Sequence, residues 1–439
     1  MTIARINDRE VASETAATNR VALAVLTTLF FMWGFLTALN DILVPHLKGI
    51  FDLNYAEVML IQFAFFSAYF IFSLPSGKLI DHIGYKKTMV AGLFTMGLGA
   101  LLFIPAASVP SFPLFLAALI TLAAGITSLQ VAANPYVAVL GPPKTASSRL
   151  NLTQAFNSLG TTIAPFLGSM LILSRAPKSV EELRQLAPDA LHAYRLQEAA
   201  SVKLPYLGLA LALIALAAVI GTFRLPPIPQ AERHTGEPAT HVLKYRHLTL
   251  GAVGIFAYVG AEVSIGSFLV VYFVQPHIGN LEIQSAARLV SSYWGGAMVG
   301  RFIGSAILQK VKTGTLLGIA ATVACLLVCT SILTSGHAAM ISILLVGFFN
   351  SIMFPSIFTL GIAGLGPLTG DGSGVLVMAI VGGAIIPLLE GVLADHVGIQ
   401  HAFVLPVLCY LYIVYYALWG SRPSNAGGKH EALPTTSVS

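Results

Sequence analysis

The chain has 439 residues, of which 56% are hydrophobic and only 10% charged, and its formal net charge is +5. A soluble domain carries about 25% charged residues, so this composition cannot cover a water-facing surface and describes an integral membrane protein. The small positive excess suits Lys and Arg beside the membrane rather than nucleic-acid binding, and apolar runs along almost the whole length exclude a soluble domain on a single anchor.

Residues 1–19 are polar and mixed in charge, and they read as a cytoplasmic tail without a cleavable signal pattern; the first apolar run is expected to serve as the targeting signal. Polar or Gly/Pro-rich breaks then divide the chain into twelve spans of helical length: 20–46, 57–80, 86–106, 112–140, 150–174, 203–224, 247–274, 283–309, 314–334, 337–363, 371–393 and 400–420. Residues 175–202 form a polar join between spans five and six. Residues 225–246, with Pro226, Pro227 and Pro229, read as a cytoplasmic linker between a six-helix half at 20–224 and a second at 247–420, and 421–439 as a C-terminal tail. With the N-terminus inside, seventeen Lys and Arg fall on the cytoplasmic side and seven on the other, so both termini are expected in the cytoplasm.

Span one carries Trp33, Thr37 and Asp41 four residues apart, with Asn40 beside the acid. A carboxylate near the middle of a membrane helix costs roughly 2.5–3.5 kcal/mol on insertion scales, and such groups serve substrates, ions or protons. A structural acid bonded to a neighbouring helix is the alternative. Between spans two and three lies Gly77-Lys78-Leu79-Ile80-Asp81-His82-Ile83-Gly84-Tyr85-Lys86-Lys87. Its glycines permit a tight turn and close helix approach, and Asp81 can accept from a helix N-terminus or a cation across an interface. This run resembles the signature loop of the major facilitator superfamily. Gly77, Asp81, Gly84, Lys86 and Lys87 are therefore expected to act in conformational change, together with Arg301 at the echoing Gly300-Arg301-Phe302-Ile303.

On span four, Thr127, Gln130 and Asn134 share a face ahead of Pro135; on span five, Asn151, Gln154, Asn157, Ser158 and Thr161 form a polar stripe. Amides both donate and accept, which suits the vicinal hydroxyls of a sugar; the competing use is hydrogen bonding between membrane helices. The halves also repeat. Asp41 and Glu262 lie 221 apart, and Gly160 with Pro165 is echoed 222 later by Gly382 with Pro387. Such repeats place a binding site near the midplane between the halves. Gly391-Val392-Leu393-Ala394-Asp395-His396-Val397-Gly398 copies the signature turn without its lysines, as an inverted copy on the outer side would.

Asn40-Asp41-Ile42-Leu43-Val44-Pro45, Ala132-Ala133-Asn134-Pro135-Tyr136 and Arg149-Leu150-Asn151-Leu152-Thr153-Gln154-Ala155-Phe156-Asn157-Ser158 resemble the fucose/glucose/galactose branch of that superfamily. The resemblance covers roughly residues 20–420. It implies an all-α polytopic fold of twelve helices in two pseudo-symmetric six-helix halves, and sugar uptake driven by a proton. Asp41 would carry the proton, and Gln154 and Asn157 would contact the sugar. One departure is informative: fucose-type members have a glutamate where this chain has Gln130 and a glutamine where it has Glu262. The run Tyr258-Val259-Gly260-Ala261-Glu262-Val263-Ser264 is similar to the glucose/galactose group instead.

The expected function is therefore proton-coupled import of a hexose by alternating access, at a bacterial inner membrane. Asp41 and Glu262 are the candidate coupling acids. Asn40, Gln130, Asn134, Gln154, Asn157, Glu262, Trp33 and Tyr258 are the candidate sugar contacts. Glu262 has a second reading as a structural acid paired with a residue such as Arg301, and Glu390 reads as structural or as part of an outer gate. A carboxylate with amide oxygens can also serve Na+, so the coupling ion stays open. The other transport readings are an N-acetylglucosamine or fucose importer and a proton-driven drug exporter; a non-transporting sugar sensor is the third class. No phosphate loop, nucleophile elbow or metal cluster supports an enzyme or a cofactor, and Cys325, Cys329 and Cys409 read as small core residues. The expected partners are a small sugar and the lipid bilayer, with no nucleic acid, and the chain is expected to act as a monomer.

Overall fold

A backbone crossing lipid must satisfy its own hydrogen bonds, so apolar runs of this length fold as helices. The computed structural model describes residues 19–51, 55–108, 111–171, 186–201, 203–226 and 239–423. Within these the first half comprises α1 (Arg20–Phe51), α2 (Tyr55–Ser108), α3 (Phe112–Val139), α4 (Ala146–Leu171), α5 (Pro188–Ser201) and α6 (Lys203–Thr222). The second comprises α7 (Arg246–Val274), α8 (Ile283–Ile307), α9 (Thr313–Leu333), α10 (Gly336–Asn350), α11 (Met353–Gly361), α12 (Thr369–Met378), α13 (Gly382–Val397), α14 (Ile399–Ala402) and α15 (Val404–Tyr415). No strand occurs among the described residues.

Nine described stretches are long and apolar enough to cross a membrane. One of them, inside α2, holds two spans folded at Gly84, and the more polar α4 and α8 complete the twelve expected. Gly84 turns the chain at φ 82°, ψ 164°, a region that penalises any side chain. Gly398, at the end of the copied motif, has nearly the same angles, φ 79° and ψ 154°. The motif repeat is thus a repeat of backbone shape.

Three of the departures from the sequence expectation lie within or beside spans five, ten and eleven. The join between spans five and six contains a helix, α5, which opens on Pro188 and Asp189, residues that favour a helix start. Span ten is two helices, α10 and α11, parted at Ser351 and Ile352. Span eleven is likewise interrupted, by a 3-10 turn at Ala379–Val381 followed by Gly382 and Gly383.

Pro355 shows what such an interruption provides. Proline has no N–H, so it cannot reach back four residues to the Ser351 carbonyl. That oxygen instead accepts from Arg301 Nε on α8 at 3.3 Å. Pro135, at a similar place in the first half, does the same inside α3. It leaves the Val131 carbonyl free, and Ser373 of the second half donates to that oxygen at 2.7 Å.

Contacts such as this last one close the halves against each other at the end that bears the Gly84 turn. Ser148 Oγ donates to the Ser305 carbonyl at 2.7 Å, and Ser147 meets Thr313 at 2.9 Å. A Cβ on Gly77 would stand 3.0 Å from the Gly370 oxygen, and one on Gly374 would stand 3.0 Å from the Ser73 oxygen. Small residues bring the backbones that close. Arg149, itself buried, braces the same end: its guanidinium donates to the Val137 and Ala138 carbonyls at the C-terminus of α3 and to the Pro142 carbonyl just beyond it.

Candidate functional site

The polar stripe of α4 divides between two neighbours. Asn151 faces the second half, where its Nδ2 donates to the Arg301 carbonyl at 2.6 Å. Ser158 faces the same way and accepts from the Arg301 guanidinium. Asn157 turns to its own half and donates to the Phe30 carbonyl of α1 at 2.9 Å. Gly34 lies against Asn157 and Gly160 against the Phe31 carbonyl, so α1 and α4 pack backbone to backbone. Gln154 lies one turn from both Asn151 and Ser158. It is buried, and its Nε2 has no partner among the described residues.

On α3, Gln130 Nε2 donates to the Tyr69 hydroxyl at 2.8 Å, while Gln130 Oε1 is buried without a partner among the described residues. The Trp33 indole lies beside the same hydroxyl. Trp33, Tyr69 and Gln130 therefore join α1, α2 and α3. Asn134, fully buried, has neither side-chain atom bonded among the described residues. Burying an amide without a partner costs about 1–3 kcal/mol, so these atoms mark places where a ligand or water is needed.

The second half holds its polar groups differently. Tyr258 donates to Glu262 Oε1 at 2.6 Å from the preceding turn of α7. Arg301 stands 3.8 Å from the same oxygen, so Glu262 is paired with Arg301, as its structural reading expects, close to the seam between the halves. Behind it, Asn350 donates to Tyr293 at 2.9 Å and accepts from Tyr410 at 2.8 Å, and Tyr293 reaches the Glu262 carbonyl at 3.4 Å. Tyr293 is thus a buried bracket, not an open stacking face. Glu390 is wholly buried and takes a hydrogen bond from Ser264.

The turn residues behave as a structural group. Gly77 lies against Gly370, and a Cβ at Gly370 would stand 3.5 Å from Asp81 Oδ1, which sets Asp81 facing the second half. Lys86 donates to the Gly221 carbonyl at 2.8 Å, capping the C-terminus of α6 as a cation does well. Lys87 is exposed. Asn40 and Asp41 fall on α1, but their side chains lie outside the described residues. Ser158 donates to the Gln154 backbone carbonyl and accepts from Arg301, whereas Asn157 stays bonded within its own half. Sequence reasoning missed Tyr69, Asn350 and Tyr410. Each is a lone polar group in an apolar run, and only its partner on another helix reveals it.

A family model described as Major Facilitator Superfamily matches residues 21–380. The glucose/galactose transporter of Brucella abortus is 53% identical over 402 residues, covering 91% of this chain and 94% of that one. The L-fucose-proton symporter of Escherichia coli is 36% identical over 418 residues, covering 92% and 94%. The crystal structure of the transporter FucP in the outward conformation superposes with a TM-score of 0.84 at 35% identity, covering 91% of this chain and 98% of that one.

Proposed function

The chain belongs to the major facilitator superfamily, in the group of the glucose/galactose transporters and L-fucose-proton symporters, and we propose that it is a proton-coupled symporter importing a hexose of the glucose/galactose type. The observation that carries this reading is the set of buried amide atoms on α3 and α4 that meet no partner among the described residues: Gln130 Oε1, both side-chain atoms of Asn134, Asn151 Oδ1 and Gln154 Nε2. They offer both donors and acceptors, as a ring of hydroxyls requires. Across the seam, Glu262 adds a carboxylate that accepts strongly from a hydroxyl. The run around Glu262 is similar to the glucose/galactose group and Gln130 departs from the fucose type, which favours glucose or galactose over fucose.

Asp41 is the proposed proton carrier. Protonation removes the cost of a buried charge, and the halves then rock about the site to release sugar and proton on the far side. A single proton moving through 100 mV supplies about 2.3 kcal/mol. At 1.36 kcal/mol per factor of ten, this supports roughly fifty-fold accumulation. The closed end bears the Gly84 turn, which the Lys and Arg distribution puts in the cytoplasm, so the described conformation is sealed on that side.

The test is uptake of labelled glucose, galactose, fucose and N-acetylglucosamine into proteoliposomes, with a pH gradient, a sodium gradient or neither. Accumulation of glucose or galactose under the pH gradient alone is expected. Accumulation under sodium alone overturns proton coupling, and binding without counterflow would make the chain a sensor.

A further inference from the structure

Arg301 touches more of the candidate site than any simple ion-pair partner would. Its Nε donates to the Ser351 carbonyl, the oxygen released by Pro355. One terminal nitrogen lies 3.8 Å from Glu262, and the other donates to Ser158 of the first half. Its own carbonyl accepts from Asn151, also of the first half. Gly300, directly before it, has no room for a side chain: a Cβ there would stand 2.5 Å from both the Phe348 carbonyl oxygen and Ser351 Oγ. The backbone of α8 is therefore pressed against the end of α10, and the guanidinium's position is fixed at its base.

We propose that Arg301 is a positioning residue that links occupancy of Glu262 to closure of the seam between the halves. The proposal rests on the sugar reading above. With the site empty, Glu262, itself held by Tyr258, attracts one terminal nitrogen of the guanidinium, and the other terminal nitrogen grips Ser158. A sugar hydroxyl that donates to Glu262 competes for the carboxylate. Arg301 loses part of its counter-charge, its grip on Ser158 loosens, and the end bearing the Gly84 turn is freed to open. At 3.8 Å the Arg301–Glu262 contact is longer than a hydrogen bond, so it is held by charge and yields to a closer donor.

The test measures the distance between spin labels at the exposed Lys144 and Lys310, one on each half at that end, in the full chain in lipid nanodiscs. The background lacks Cys325, Cys329 and Cys409. Without sugar, Ser158→Ala and Glu262→Gln should each raise the ratio of open to closed molecules by about tenfold, the worth of one charge-assisted hydrogen bond. Arg301→Lys keeps the charge but loses the fork, and should match Ser158→Ala. In the native chain glucose should produce the same opening, and in Glu262→Gln it should add little. Ser158→Ala removes only a hydroxyl, so it keeps the test valid if the charge variants fold poorly. Ligand-free distances unchanged in Ser158→Ala would overturn the latch whatever the substrate is. Ligand-free opening in the variants with no response of the native chain to glucose or galactose would keep the latch and overturn the sugar reading.

Discussion

The first half buries several amide atoms that meet no partner among the described residues, whereas the second half ties most of its buried polar groups to one another and leaves Ser356 Oγ and Glu390 Oε1 unmet. Gln154 and Asn134 are on the first side of that contrast; Tyr258 with Glu262, and Tyr410 with Asn350 and Tyr293, are on the second. Unmet hydrogen-bonding capacity is tolerated where something else meets it. A fully connected network fixes geometry. Under the proposed function, recognition falls chiefly to α3 and α4, and presentation of one carboxylate to α7 and α8.

Asp41→Asn should produce the largest change, complete loss of uphill accumulation, because the neutral amide cannot release a proton. Exchange of labelled for unlabelled sugar should persist. Gradient-driven uptake at the native level would move coupling out of the first half altogether and break the contrast at its root.

Glu262→Gln comes next. Removing one partner of a buried pair costs about 3–5 kcal/mol because the other charge is stranded. The melting temperature should fall, and sugar affinity should change in the molecules that stay folded. A purely thermal defect would strike Glu262 from the site and make the second half a scaffold only.

Gln154→Ala and Asn157→Ala sharpen the contrast within a single helix. The Gln154 amide nitrogen has no partner among the described residues, so loss of this side chain should weaken sugar binding by roughly 1–3 kcal/mol and leave the melting temperature nearly unchanged. Asn157 is bonded to Phe30, so its loss should appear mainly as lower thermal stability, about 0.6 kcal/mol for a typical bond of this kind. Calorimetry and melting curves on the two variants decide. The reverse pattern would return Gln154 to helix packing and put Asn157 in the sugar site.

The smallest effect is expected from Ser373→Ala. It removes one bond across the seam, to Val131, worth about 1 kcal/mol. Spin-label distances should show a modest rise in the open population without a change in sugar affinity. A large fall in affinity would place this serine in recognition.

Much of this was legible in the chain itself. Span lengths follow from hydropathy, and Gly84 and Gly398 announce their turns because few other residues tolerate those angles. The α4 stripe was visible as spacing, and so was the option that Glu262 pairs with Arg301. Spacing could not divide the stripe, because helical periodicity says which residues share a face and nothing of what that face meets. Hence Asn151 and Asn157 looked alike and point to different halves. The seam serines were silent for a related reason: a hydroxyl in a membrane helix commonly bonds its own preceding turn, as Thr127 does to Ala123. The break at Ser351 had a cue in Pro355, but proline alone does not tell a bend from an interruption.

The oxygens released by Pro135 and Pro355 have a bearing on the rate of switching. Each accepts from a side chain elsewhere, Ser373 in one case and Arg301 in the other. Breaking either bond unwinds no helical turn, since no turn was using that oxygen. The molecule can therefore exchange partners at these two points while every helix stays intact, so these two contacts contribute side-chain bonds rather than backbone remaking to the barrier to interconversion.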